Sequence, residues 1–110
     1  MSKRILVVDD DIVFVKLLQR FLSEDYEVST ALSGVQATHM IKTSEPDLLL
    51  LDIEMPGKDG FATLDYIKNL QLERKLPVIF ITGRTDRDTL KRCAAAGASG
   101  YIEKPIVKDN

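Results

Sequence analysis

The chain has 110 residues, 45% of them hydrophobic and 29% charged, with 15 basic residues against 17 acidic and a net charge of -2. That composition suits one domain around one core, and it excludes a disordered chain and a surface that grips nucleic acid or anionic membrane through a clustered positive field. A single cysteine, Cys93, excludes an internal disulfide and a thiolate metal site, and no apolar run approaches a signal peptide or membrane span, so a cytoplasmic location is expected.

In chain order, short solid apolar runs alternate with helical periodicities. Ile5 to Val8 is a solid run, as in a strand buried on both faces of a parallel sheet. Phe14, Leu17, Leu18, Phe21 and Leu22 then share one helix face. Tyr26 to Thr30 alternates and predicts an edge strand, after which Ser33 with Gln36 forms a capping box for a helix carrying Ala37, Met40 and Ile41. Leu48 to Leu51 is a second solid run. Phe61, Leu64, Ile67 and Leu70 mark a helix starting near Asp59, and Val78 to Ile81 is a third buried strand. Thr85 with Asp88 predicts the cap of a helix carrying Leu90, Cys93 and Ala94, which Gly97 ends. Gly100 to Ile102 is a brief edge strand. Pro46, Pro56, Pro77 and Pro105 fall at the joints, and only Pro105 to Asn110 follow the last strand, too little for a further helix.

The alternation predicts a parallel sheet with right-handed crossovers and helices on both faces. Ligands bind such sheets beyond the carboxyl ends of the strands. Asp9, Asp10 and Asp11 follow the first strand, Asp52 and Glu54 the third, Thr82 the fourth, and Lys104 and Pro105 the fifth. Crowded carboxylates resist ionisation unless a cation neutralises them, and oxygen-only donors suit Mg²⁺ (or Mn²⁺). A hydroxyl and an ammonium beside them can hold phosphoryl oxygens, so the set suits phosphoryl transfer. Each residue also has a plainer role. Asp11 is expected to cap the next helix, Thr82 could be a turn residue and Lys104 a solvated one. Adjacent acids cannot share one cap, so Asp9 and Asp10 are less easily explained that way.

The stretches ILVVDDD, LLLLDIEMPGKDG, VIFITG and GASGYIEKP resemble the receiver domain of response regulators, over nearly the whole chain. The resemblance implies a flavodoxin-like α/β fold, doubly wound, with five strands in the order 2-1-3-4-5. It implies that Asp52 accepts a phosphoryl group from a histidine kinase or histidine phosphotransfer protein. Asp10 would bind the metal directly, Asp9 mainly through water, and Glu54 through its backbone carbonyl. Lys104 would hold a phosphoryl oxygen and pair with Asp52 at rest, and Thr82 would move inward, with Tyr101 following as the switch aromatic. Gly83 would keep the approach open, Pro56, Gly57 and Gly60 would shape the loop after Asp52, and the Lys104–Pro105 bond would be cis. The remodelled surface would be that of the fourth helix and fifth strand, read by an output partner or effector domain that the sequence does not identify. The resemblance also allows a homodimer.

The resemblance also implies that Glu54 and Arg84 flank the path of a hydrolysing water; they carry opposite charges, so they are candidates to pair over the phosphoryl group and lengthen its life. Residues 1–110 are expected to be one receiver domain cut short before its fifth helix. His39 has no ligand partner at suitable spacing and is expected at the surface; Cys93 is expected to be a small packed side chain. Two other readings compete. In one, Asp9 and Asp11 serve as nucleophile and acid/base of a haloacid-dehalogenase-type phosphatase; in the other, a degenerate receiver acts only as an interaction module.

Overall fold

A computed structural model describes residues 3–70, 72 and 75–104. Strands β1 (Arg4–Val8), β2 (Glu27–Ala31), β3 (Leu48–Asp52), β4 (Val78–Thr82) and β5 (Gly100–Glu103) alternate with helices α1 (Ile12–Leu22), α2 (Gly34–Ser44), α3 (Gly60–Lys68) and α4 (Arg87–Ala95). All strand pairs are parallel, in the order β2-β1-β3-β4-β5, so the two strands expected at the edges lie there.

The solid apolar runs form the centre because both faces of β1, β3 and β4 are covered. Alternate residues Leu6, Val8, Leu49, Leu51 and Phe80 point into one core with Ala37 and Ile41 of α2, Leu64 and Ile67 of α3 and Cys93 of α4. Ile5, Val7, Leu50 and Ile81 point the other way, against Phe14, Val15 and Leu18 of α1. On that second face Ile79 and Ile102 are only partly buried. The segment 105–110, where a fifth helix would follow, lies outside the described residues, as does Pro105 with its expected cis bond. No helix among the described residues is long and apolar enough to cross a membrane.

Local signals set the helix ends. Asp11 caps α1, its Oδ1 accepting from Val13 and Phe14 N–H, and Asp59 caps α3 through Ala62 N–H. Ser33 caps α2 and accepts from Gln36 N–H, while the Gln36 side chain turns back to Leu32 N–H, one residue beyond the usual capping-box partner. The expected cap of α4 shifts by one residue. Asp86, not Thr85, accepts from Thr89 N–H at 2.7 Å, and the Thr85 hydroxyl instead donates to Glu103 of β5 at 3.2 Å. A carboxylate is the stronger acceptor for a helix N-terminus, and Glu103 gives the hydroxyl another partner. Hydrogen bonds from Thr89 and then Arg84 hold the Asp86 carboxyl down to about 2. At the other end Gly97 adopts φ 83, and Ala98 N–H reaches back to Cys93 C=O, a left-handed stop that glycine takes without strain.

Candidate functional site

The carboxyl ends of β1, β3, β4 and β5 share one edge, and the register sets what meets there. Asp52 is the last residue of β3, paired with Ile81 and 3% exposed. Asp9 follows β1, fully buried; its N–H donates to Ala31 C=O and its Oδ1 accepts from Asp11 N–H. Asp10 beside it is exposed. One carboxylate oxygen from each of Asp9, Asp10 and Asp52 lies within 4.8 Å of the others. Lys104 follows β5, anchored by its N–H to Thr82 C=O, and its Nζ lies 2.6 Å from Asp9 Oδ2 and 3.4 Å from Asp52 Oδ1. The resting ammonium is therefore shared, and closer to Asp9 than to the expected Asp52. Asp9 Oδ2 is thus a buried oxygen whose close partner is the shared ammonium.

The electrostatics follow from crowding. Burial, then the charge of Asp9, push the Asp52 carboxyl from 3.8 up to about 7, against the pull of Lys104. Burial alone would lower Lys104; its contacts with Asp9 and Asp52 outweigh that and raise it. With all three carboxyls ionised they face one ammonium, which leaves two negative charges for a cation to balance. The donors are all oxygen, those of Asp9 and Asp52 are buried, and that chemistry fits a hard divalent ion.

Thr82, 1% exposed, ends β4, but its hydroxyl faces the following loop, donating to Arg84 C=O and accepting from Arg84 N–H, both at 2.8 Å. Tyr101 is 48% exposed on β5, opposite Phe80. Gly83 is exposed, and a Cβ there would meet no heavy atom within 4 Å, so packing does not demand glycine at this point. Gly60 is the opposite case: a Cβ would come within 2.4 Å of Asp52 O and 2.8 Å of Ile53 Cα. Its missing side chain lets the start of α3 press against the backbone at the end of β3, where Gly60 N–H donates to Ile53 C=O. Gly57 takes φ 77 in the loop between them.

Glu54 and Arg84 line one pocket of about 460 Å³, with Asp59, Phe61, Thr89 and Arg92 among its other walls. The Arg84 guanidinium, however, pairs with Asp86 at 2.8 Å. Asp11 serves as the α1 cap, which ties one oxygen of the carboxylate that a haloacid-dehalogenase-type enzyme would need as its acid/base. His39 is exposed and Cys93 buried, its thiol pushed up by burial. Sequence reasoning placed Phe14 only in the core; its ring also lies under the Lys104 ammonium, 4.6 Å from Nζ to the centroid. Nothing local in the sequence signals that contact, because the two residues lie on α1 and after β5.

The family model for the response regulator receiver domain matches residues 5–110. The chain belongs to that family. This receiver domain is 43% identical over 107 residues to the response regulator PleD of Caulobacter vibrioides, a match that covers 96% of this chain and 24% of that protein. It therefore spans about a quarter of PleD. It is 37% identical over 109 residues to the chemotaxis protein CheY of Halobacterium salinarum, covering 98% of this chain and 89% of that one. Among solved structures it superposes on chemotaxis protein CheY4 of Vibrio cholerae with TM-score 0.92 at 25% identity, covering 99% and 92% of the two chains. A CheX–CheY–BeF3–Mg²⁺ complex from Borrelia burgdorferi matches with TM-score 0.85 at 32% identity, over 97% and 81%. The fold is that of CheY, and the receiver domain is a phosphorylation-dependent signalling switch with an acidic cluster able to hold a metal ion.

Proposed function

We propose that Asp52 is the phosphoacceptor, taking its phosphoryl group from a histidine kinase or histidine phosphotransfer protein in a Mg²⁺-dependent reaction. The observation that carries this reading is the convergence of Asp9, Asp10 and the Lys104 ammonium on one buried carboxylate at the end of β3. A CheY relative whose complex contains both BeF3 and Mg²⁺ supports it. Asp9, Asp10 and Asp52 would hold the cation, with the Glu54 carbonyl as a further ligand. When bound, the cation offsets the charge of the carboxylates and of the phosphoryl oxygens.

An Asp52 oxygen attacks phosphorus in line; the N–P bond of the donor breaks, its electrons go to the imidazole, and the imidazole takes up a proton. Lys104 then leaves Asp9 for a phosphoryl oxygen, and Thr82 releases Arg84 to donate to another. Tyr101 turns into the space Thr82 vacates, and the α4–β5 surface changes for an output partner or effector domain. Shifting such an equilibrium from mostly inactive to mostly active takes about 5 kcal/mol of differential interaction. The domain, residues 1–110, acts in the cytoplasm and catalyses only its own phosphorylation and dephosphorylation. It binds no nucleic acid or membrane directly.

Incubation with Mg²⁺ and phosphoramidate or acetyl phosphate, followed by mapping of the adduct, tests the reading. A label on Asp52 that Asp52→Asn abolishes is expected; a label that survives Asp52→Asn would refute it. Glu54 and Arg84 are read as tuning the lifetime of the adduct by pairing over it, Arg84 leaving Asp86 to do so. Dephosphorylation rates unchanged in both Glu54→Ala and Arg84→Ala would sink that part.

A further inference from the structure

We propose that Phe14 is a positioning residue for phosphorylation of Asp52: the face of its ring holds the Lys104 ammonium over the site while that ammonium changes anionic partners. The inference rests on the phosphoacceptor reading above. Lysine carries a compact charge on a flexible four-carbon stem, so something must fix it. Its two carboxylate partners are both temporary. The Asp52 oxygens are altered by acyl-phosphate formation, and Asp9 belongs to the carboxylate cluster that fits a cation. The Phe14 ring is the third neighbour, 4.6 Å from Nζ. A ring face attracts an ammonium through its quadrupole, does not titrate, takes up no metal ion and cannot receive a phosphoryl group. Among the described residues it is the partner that stays the same throughout the cycle.

The ring is also well fixed. Phe14 is 7% exposed in the first turn of α1, its N–H bonded to the Asp11 cap, and it packs in the cluster of Ile5, Val7, Val15, Leu18, Leu50 and Ile81. An aliphatic side chain would also be apolar there; what it would not supply is a negative ring face under Lys104. The distinction between filling space and holding charge can be measured.

The test uses the whole 110-residue chain with position 14 carrying phenylalanine analogues bearing one, two or three ring fluorines, which drain the ring face of negative charge while nearly preserving its shape. Phe14→Leu is the fully aliphatic comparison. Mg²⁺-dependent labelling of Asp52 by phosphoramidate is followed alongside the NMR resonances of the Lys104 ammonium and side-chain methylenes. The rate constant should fall stepwise with fluorine number, by about three- to tenfold in all, as expected for a partly desolvated cation–π contact. The ring-current displacement of the Lys104 methylenes should vanish in Phe14→Leu. A rate that is flat across the fluorinated set, with wild type labelled on Asp52, would overturn the inference and leave the phosphoacceptor reading standing. A wild type that takes no label on Asp52 overturns both. If Phe14→Leu does not fold, the fluorinated set still decides.

Discussion

Asp52→Asn should stabilise the metal-free protein, and the gain should depend steeply on pH. The carboxyl stands at about 7 in the folded chain against 3.8 for a free one, chiefly because it is buried and next because Asp9 lies beside it. A raised folded-state pKa means the native protein holds a proton that the unfolded chain releases. The stability from this group is thus fully present below about pH 4 and is lost as pH rises through about 7. The gap corresponds to about 4 kcal/mol at most, at about 1.4 kcal/mol per pH unit. Part of it is taken up by Lys104, which can lean further toward Asp52 as Asp52 ionises, so about 2 kcal/mol is expected in practice. Asparagine keeps the shape and removes the charge. Urea unfolding of both proteins in chelator, from pH 4.5 to 8.5, should show midpoints that diverge with rising pH, the variant being the more stable. Added Mg²⁺ should then close most of the difference by stabilising wild type. A difference that does not change with pH, or a wild type more stable than the variant at pH 8 without metal, would refute the account of Asp52 as a buried, crowded carboxylate.

Gly60→Ala should cost about 1–3 kcal/mol of stability and slow labelling of Asp52, since the new methyl meets backbone at 2.4 Å and 2.8 Å and α3 must back away; unchanged urea midpoints would contradict the close approach. Asp10→Asn should weaken Mg²⁺ binding by at least about tenfold in calorimetry while barely moving metal-free stability, because Asp10 is an exposed donor; an unaltered affinity would remove it from the metal site. Asp59→Ala should lose about 1 kcal/mol through the α3 cap, with Asp59→Ser recovering most of it. Equal stability of all three chains would show that the cap does not hold α3 in place.

Much of this could be read from the sequence because the fold keeps its chemistry at the ends of its most regular elements. Val8, Leu51 and Ile81 each close a solid apolar run, so Asp9, Asp52 and Thr82 are marked by position alone, and a parallel sheet must bring them to one edge. The cap of α4 is not legible locally because Thr85 and Asp86 are both good cap residues, and the choice between them depends on Glu103, seventeen positions beyond Asp86 and brought near by the β4–β5 register. The lean of Lys104 toward Asp9 depends on how the ends of β1, β3 and β5 are placed in space, and no local pattern encodes that. The same holds for Phe14, whose spacing correctly assigns it to the core and says nothing of what lies on the outer face of its ring.

On the proposed switch, every residue that grips the phosphoryl group already has a partner to give up. Thr82 surrenders two neutral hydrogen bonds to the Arg84 backbone, each worth about 1 kcal/mol net, for one charge-assisted bond worth about 1.5–3 kcal/mol. That exchange is close to balanced, so Thr82 alone cannot supply the roughly 5 kcal/mol that a full population shift needs. The remainder has to come from Lys104 and from relief of the crowded carboxylates, which explains why the driving groups sit on β1, β3 and β5 while the responding loop sits after β4. The release is local but not isolated. Arg84, whose backbone Thr82 lets go, is the residue whose guanidinium holds Asp86, and Asp86 in turn caps α4 through Thr89. Freeing one hydroxyl thus loosens the chain of contacts that fixes the start of α4, which links phosphorylation of Asp52 to the surface proposed to carry the output.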